Sequence, residues 1–142
     1  MSKTFAGLTL TACGALICVG CASAGQTGRP PLATGDWRLL DINGIAAIPN
    51  EIDRRPTIRF SADSGRASGN GGCNSYGGQA TISGTSLQVS RVISTKRACV
   101  DAALNQQESR FFAALETVDH YSVSSDTLRL LRGSAVALRF VR

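Results

Sequence analysis

The sequence has few of the residues on which enzymes depend. It holds a single histidine, His120, among 142 residues. A hydroxyl–histidine–acid triad or a cysteine–histidine pair would have to use that residue, and no motif surrounds it. The glycine-rich stretch from Asn70 to Gly78 lacks the lysine and hydroxyl of a phosphate-binding loop, and no carboxylate pair stands out for acid–base work. The sequence therefore predicts a protein that is not an enzyme and that uses no cofactor.

A hydrophobic run long enough to span a bilayer is also missing. The apolar run from Phe5 to Ile17 is shorter than the roughly 20 residues that a membrane-spanning helix needs. Lys3 precedes this run and small residues follow it, which is the order of a secretory signal. We therefore predict a signal over residues 1–21.

Two kinds of processing fit the end of this signal. Val19 and Gly20 precede Cys21, whose thiol would accept a diacylglyceryl group in a lipoprotein and so make the membrane a partner. Cleavage after Ala24 would instead release a soluble periplasmic or secreted protein. We expect lipidation at Cys21. We also favour the outer membrane, facing the periplasm, because Ala22 replaces the aspartate that often retains lipoproteins at an inner membrane.

Five cysteines are present, but only Cys73 and Cys99 lie beyond the signal. In an oxidising compartment, two such cysteines predict one disulfide. Buried free thiols and a reactive thiol remain as alternatives, because Lys96 and Arg97 beside Cys99 would favour a thiolate. Two cysteines and one histidine fall short of a closed zinc site, so no metal is predicted.

Acidic residues are outnumbered by basic ones. Beyond Lys3, which belongs to the signal, 14 basic and 10 acidic residues leave a net charge of 14 − 10, or +4. The arginines are scattered and are not interleaved with aromatic residues, which is typical of a solvated surface and not of a nucleic-acid platform.

The rest of the chain divides into two parts. Residues 22–35 are rich in small and polar residues and predict a flexible tether, whereas residues 36–142 predict one domain. Apolar spacing predicts an amphipathic helix over 101–119, with Asp101 as its N-cap. Strands are predicted over 36–42, 56–60, 79–82, 87–93, 121–123, 127–131 and 136–140. The predicted fold class is mainly β (α+β), a small antiparallel sheet or partly open barrel packed with one amphipathic helix.

Several short motifs follow one another along the predicted domain. Trp37 and the Asn43–Gly44 turn come first, and the helix through Glu108 and Phe111 comes last. Between them lie the most specific residues of the series, namely Gly72, Cys73, Asn74, Tyr76 and Gly78, followed by Thr95, Ala98 and Cys99. In this order the motifs resemble the META/HslJ domain family, whose members are typically exported or lipid-anchored bacterial proteins, some with a heat-shock name. The resemblance implies a small antiparallel β structure packed with a helix, but it implies no reaction.

Together these observations predict a non-catalytic cell-envelope domain, an interaction or stress-related module whose partner is an unknown envelope protein or ligand. A binder of a small apolar or lipid-like ligand inside a barrel is the first alternative. A thiol-dependent or hydrolytic enzyme is the second, and it would need Cys73 or Cys99 unpaired beside His120 or a strong base.

Overall fold

A computed structural model describes residues 31–33, 35–50, 54–97 and 99–142. The predicted signal, Cys21, most of the predicted tether and Ala98 lie outside the described residues. Pro31–Ala33 form a short 3₁₀ turn. The strands are β1 (Trp37–Ile42), β2 (Ile45–Ala46), β3 (Thr57–Ser61), β4 (Arg66–Asn70), β5 (Ser75–Ser83), β6 (Ser86–Ser94), β7 (His120–Ser124), β8 (Thr127–Arg132) and β9 (Ala135–Val141), with helix α1 (Ala102–Leu115) between β6 and β7.

The nine strands form one antiparallel sheet that closes on itself. Strands β3 to β9 follow in chain order, and β1 pairs with both β3 and β9, so that an irregular ring results with β2 attached to β1. The ring is uneven, because β8 and β9 pair along their length whereas β6 and β7 share a single registered pair, Ser86 with His120. This arrangement confirms the predicted antiparallel, barrel-like fold with a helix.

Helix α1 begins as its sequence predicts. The Asp101 carboxylate accepts a hydrogen bond of 2.7 Å from the Ala103 N–H, as an N-cap should. The helix ends at Leu115, four residues earlier than predicted. The β-branched Thr117 and Val118 follow, and Val118 packs into the core after the chain has left the helix.

The ring is filled by side chains. Trp37, Phe60, Phe111 and Phe140 are almost completely buried, and Phe111 brings the helix into the same core as the strands. The Phe111 and Phe140 ring centroids are 6.3 Å apart in an edge-on arrangement. The core therefore holds the helix against the sheet.

The imperfect alternation of β1 has a structural cause. Leu39 pairs with Phe140 and Asp41 pairs with Arg139, so Leu40 is an extra residue that forms a β-bulge. The buried Asp41 carboxylate then accepts a hydrogen bond of 2.6 Å from Nε of Arg139. This ion pair joins the first and last strands of the ring.

The folded region reaches further back than residue 36. Leu32 is completely buried, and its carbonyl accepts a hydrogen bond of 3.1 Å from the indole N–H of Trp37. Residues 31–33, which were predicted to belong to the tether, are therefore part of the folded domain. The prolines and small residues of the surrounding segment suggested a linker, but the indole N–H of a buried Trp37 needs an acceptor, and the Leu32 carbonyl supplies it.

Candidate functional site

Cys73 and Cys99 are joined by a disulfide in the structure, with Cα atoms 5.6 Å apart. This separation lies in the usual range for a disulfide. Cys73 precedes β5, and Cys99 lies just before the N-cap of α1. The bond therefore fastens the glycine-rich loop to the start of the helix. We call the disulfide, the loop from Gly71 to Asn74 and the side chains that bind them the helix–loop junction.

Glu108 lies at the centre of this junction. It is almost completely buried, and its Oε1 accepts hydrogen bonds from the backbone N–H groups of Cys73 (3.1 Å) and Asn74 (2.7 Å). Its Oε2 accepts a hydrogen bond of 2.6 Å from the Asn74 side-chain amide. The carboxylate therefore uses both oxygens to hold the loop against α1.

Asn74 connects this carboxylate to the segment after β6. Its Oδ1 accepts hydrogen bonds from the Thr95 hydroxyl (2.8 Å) and the Arg97 backbone N–H (2.7 Å), while its Nδ2 also donates to the Arg97 carbonyl at 3.0 Å. Asn74 is buried and every polar atom of its side chain is bonded. It is therefore a structural bridge with no hydrogen-bonding capacity left for a ligand.

Two further amides of α1 bind loops in a similar way. The buried Gln107 side chain accepts from the Ile48 N–H at 2.6 Å and donates to the Ile48 carbonyl at 2.8 Å. The Asn105 side chain accepts from the Cys99 N–H at 3.0 Å and donates to its carbonyl at 3.1 Å. Neither Gln107 nor Asn105 has a role predicted from the sequence. Uncharged or acidic polar residues on the apolar stripe of a helix are the signal that could have found Gln107 and Glu108.

Tyr76 is a core residue with one polar contact. Its ring packs edge-on against Phe111 and Phe112, and its hydroxyl donates a hydrogen bond of 2.9 Å to the Thr57 carbonyl. Burial raises the pKa of Tyr76 well above its usual range. The phenol is therefore a structural donor in its neutral form.

The motif glycines allow close packing of the backbone. A Cβ at Gly78 would lie 3.0 Å from the Ser90 carbonyl oxygen, and Gly72 has a φ of +122°, which side chains rarely adopt. Of the motif residues, the structure brings Gly72, Cys73, Asn74, Thr95 and Cys99 together at the helix–loop junction. Tyr76 and Gly78 lie further along β5.

Three side chains of the kind that can ligate a metal ion also meet at the junction. The sulfurs of Cys73 and Cys99 and a carboxylate oxygen of Glu108 lie within 4.8 Å of one another. Both sulfurs are bonded to each other, and the carboxylate already accepts three hydrogen bonds. In this oxidised form the group has no thiolate for a cation.

His120 lies on the surface at the start of β7. Its Nδ1 is 2.7 Å from an Asp119 carboxylate oxygen, and Asp119 also accepts hydrogen bonds from the Gly133 N–H. Among the described residues, no serine, threonine or cysteine side chain is hydrogen-bonded to this pair. The imidazole therefore lacks the adjacent nucleophile that a triad requires.

Comparisons with solved structures support the fold. An NMR structure of a protein from Burkholderia xenovorans is similar, with a TM-score of 0.61 and 26% identity over 78% of this chain and 83% of that one. A crystal structure of a DUF4847 family protein from Bacteroides vulgatus ATCC 8482 is similar in fold, with a TM-score of 0.54 and 20% identity over 78% of this chain and 94% of that one. No curated protein is similar enough in sequence to be reported as a relative.

The described residues contain no helix long and apolar enough to cross a membrane.

A family model, that of the META domain, matches residues 30–142. The match includes the ring of strands, the helix and the helix–loop junction, and it begins close to the 3₁₀ turn that packs under Trp37. Because this match spans well over half of the sequence, the chain belongs to the META domain family.

Proposed function

We propose that this META-domain chain is a non-catalytic protein of the cell envelope, held at a membrane by a lipid on Cys21, and that its folded domain is a rigid interaction module. The observation that carries the non-catalytic part is the state of the helix–loop junction. Its two sulfurs and its buried carboxylate are the groups that could act as nucleophile, base or metal ligand, and all three are occupied by structural bonds.

The disulfide also supports the exported location. Disulfides persist in oxidising compartments and are rare in the reducing cytosol. Cys73 and Cys99 are 26 residues apart in the sequence, so their bond closes a loop of that length. Such a closure stabilises the folded state, which matters most for a small domain with a small core. The signal-like residues 1–21, in which Cys21 follows Val19 and Gly20, also support export from the cytosol.

A ligand inside the ring has less support. The centre of the ring is filled by the aromatic side chains of Trp37, Phe60, Phe111 and Phe140, each with almost no exposed surface. Cavities that hold apolar ligands have room for them between such side chains. The interaction surface of the module is therefore expected on the outside of the ring.

The intact mass of the full chain, expressed and isolated from the membrane fraction, tests this proposal. We expect a chain that starts at an acylated Cys21, with no thiol alkylated before reduction and two alkylated afterwards. Cys21→Ala should abolish the acylated species, whereas Cys18→Ala is the matched control and should retain it.

An unacylated chain that starts near Gly25 in the soluble fraction would overturn the anchor. Alkylation of Cys73 or Cys99 before reduction would overturn the non-catalytic reading of the junction, because it would leave a free thiol beside Lys96, Arg97 and Glu108.

A further inference from the structure

The described surface contains a cleft in which basic and neutral donor groups converge. Its volume is about 590 Å³, and it is lined by Arg38, Arg54, Arg55, Thr57, Asn70 and Val141. This volume lies within the range of about 300–1,000 Å³ that is typical of small-molecule sites. None of the lining residues is acidic.

Residues of the sheet form one wall of this cleft. Arg38 on β1 is registered with Thr57 on β3 and with Val141 on β9, and paired residues of antiparallel strands point to the same face. The Asn70 N–H donates a hydrogen bond of 3.2 Å to the Thr57 hydroxyl oxygen, which extends the row to β4. Arg38 is exposed, so this row lies on the outer face of the ring.

The loop before β3 supplies the other side. The backbone of Arg54 is bonded to Asn50 twice, since the Arg54 N–H donates to the Asn50 side chain and the Arg54 carbonyl accepts from the Asn50 N–H, both at 2.9 Å. The Asn50 amide also donates to the Gly72 carbonyl at 3.2 Å. The backbone that carries Arg54 and Arg55 is therefore fixed to the glycine-rich loop, while both guanidinium groups are exposed.

The charges of this cleft are not neutralised by the described part of the chain. No carboxylate of the described residues forms an ion pair with Arg38, Arg54 or Arg55. The nearby Asp36 is already bound by Arg59, with hydrogen bonds of 2.7 and 2.6 Å to its two oxygens. Glu51 and Asp53, which precede Arg54 in the sequence, lie outside the described residues.

The two neutral polar side chains also present donors. The Thr57 oxygen accepts from Asn70, so its hydroxyl hydrogen is available to a ligand. The Asn70 Oδ1 accepts from the Gly72 N–H at 2.7 Å, which leaves its amide N–H groups to donate. Within the described structure, the cleft thus combines guanidinium, hydroxyl and amide donors without an opposing carboxylate.

We propose that this cleft binds a phosphate group carried on a small organic molecule or on a lipid headgroup. Three guanidinium groups and two neutral donors suit an anion with several oxygens, and arginine forms two parallel hydrogen bonds to such groups. The cleft is larger than a phosphate alone requires, which leaves space for the carrier molecule. The proposal deepens the proposed function, because it rests on the domain being a binding module and names the chemistry of its ligand.

Titration of the full-length protein in a nonionic detergent, followed by ¹⁵N–¹H NMR, tests this inference. One arm uses glycerol 3-phosphate, with glycerol as its uncharged control. A second arm uses dihexanoyl phosphatidylglycerol, with dihexanoylglycerol, which lacks the phosphate, as its control. We expect saturable shifts of the Thr57, Asn70 and Val141 amides that weaken as salt is added. Saturation by only one of the two phosphates identifies its source, and saturation by both shows that the phosphate itself is recognised.

The double variant Arg54→Gln with Arg55→Gln should weaken binding at least tenfold. Arg129→Gln with Arg132→Gln is the matched control, since it removes the same charge from β8, and it should change the affinity less than twofold. Both variants should keep the unfolding temperature of the parent, because within the described structure none of the four arginine side chains forms a hydrogen bond or ion pair, and Arg54 is bonded only through its backbone.

The inference is overturned if neither phosphate gives saturable shifts. It is equally overturned if the shifts lie elsewhere or if the two double variants weaken binding alike. None of these outcomes depends on whether Cys21 is acylated, so failure here is distinguishable from failure of the mass experiment.

Discussion

Glu108 occupies a position where an amphipathic helix normally buries an apolar side chain. We expect Glu108→Gln to destabilise the fold by about 1–3 kcal/mol, because the new amide would face the Asn74 amide, donor against donor, in a buried site. Urea unfolding measures this loss. Asp63→Asn, in an exposed turn, is the control and should change little. A Glu108→Gln protein as stable as its parent would contradict the structural role of the carboxylate.

Asp119 gives the fold a dependence on acid pH. The hydrogen bond from His120, with that from the Gly133 N–H, lowers the pKa of Asp119 below its ordinary value of 3.8. A carboxyl group whose pKa is lowered by folding stabilises the protein above its ordinary pKa, and this contribution is lost as the pH falls through the lowered value. We therefore expect Asp119→Asn to flatten the loss of thermal stability below about pH 4.

The exposed Asp126 provides the control for this measurement, because its carboxylate has no hydrogen bond in the described structure. Asp126→Asn should keep the acid dependence of the parent when unfolding temperatures are compared across pH. Equal curves for all three proteins would rule out the contribution of Asp119.

Residue roles were predictable where they depend on local chemistry. Asp101 was predicted as an N-cap because its carboxylate reaches an N–H group two residues away. Glu108, by contrast, binds N–H groups 34 and 35 residues away in the sequence. A distance of that kind has no signature in a single sequence. The helix motif and the charge on an apolar stripe could single out Glu108, but neither could identify its partners.

At the scale of elements, the packing of α1 against the glycine-rich loop depends on Gly71. A Cβ at this position would lie 2.6 Å from Cζ of Phe112 and 2.7 Å from Oε1 of Glu108. Neither neighbour is free to move, since one packs on Tyr76 and the other holds the loop. We expect Gly71→Ala to destabilise the protein by about 1–3 kcal/mol in urea unfolding.

Gly77→Ala is the matched control for this substitution. Its Cβ would meet the flexible end of Arg66 at 3.3 Å, and its backbone does not require glycine. Its stability should therefore stay within about 1 kcal/mol of the parent. If both glycine variants lose the same stability, the close approach at Gly71 is not the cause.

The disulfide links two elements that are also bound by hydrogen bonds. The double variant Cys73→Ala with Cys99→Ala should lose roughly 3–4 kcal/mol, which is the chain-entropy expectation for a loop of this length. Urea unfolding with and without reductant measures it, since the double variant should be insensitive to reductant while the parent is not. If the stability of the parent is also unchanged by reductant, the disulfide between Cys73 and Cys99 is contradicted.

Elements with apolar side chains at regular spacing were predicted from the sequence, whereas β2, β4 and the first half of β5 were not. Strand β4 consists of Arg66, Ala67, Ser68, Gly69 and Asn70, and only one of these side chains is buried. It is a strand because its backbone pairs on both sides with β3 and β5. Neighbours of that kind, and not the side chains of the segment, determine its conformation.

For the whole molecule, the uneven pairing of the ring predicts where it opens first. Strands β6 and β7 are joined by the bonds of Leu87 to Asp119 (3.0 Å) and Tyr121 to Thr85 (2.9 Å). We expect the Leu87 and Tyr121 amides to exchange with deuterium faster than those at the middle of β8, by on the order of tenfold. Hydrogen exchange followed by NMR tests this. Equal protection around the ring would show that it opens only as a unit.

The class of fold could be predicted from the sequence, but the closure of the ring could not. Short strands with short connections indicate antiparallel neighbours, which accounts for β3 to β6 and for β7 to β9. The pairing of β1 with β9 joins the two ends of the domain, and the ion pair of Asp41 with Arg139 spans 98 residues. Such a contact between distant residues forms only in the folded chain and leaves no pattern in the sequence. The basic cleft across β9, β1 and β3 was unpredictable for the same reason.

The pairing of β1 with β9 also sets the order in which a growing chain can finish its structure. Synthesis and export both deliver β1 before β9, so Trp37 and Leu39 lack the neighbour that Phe140 provides until β9 has followed. Any truncated or stalled chain would leave that side of β1 uncovered, with unpaired backbone groups open to other unfinished chains. Completion of the final strand is therefore the event that turns an association-prone intermediate into a sealed domain.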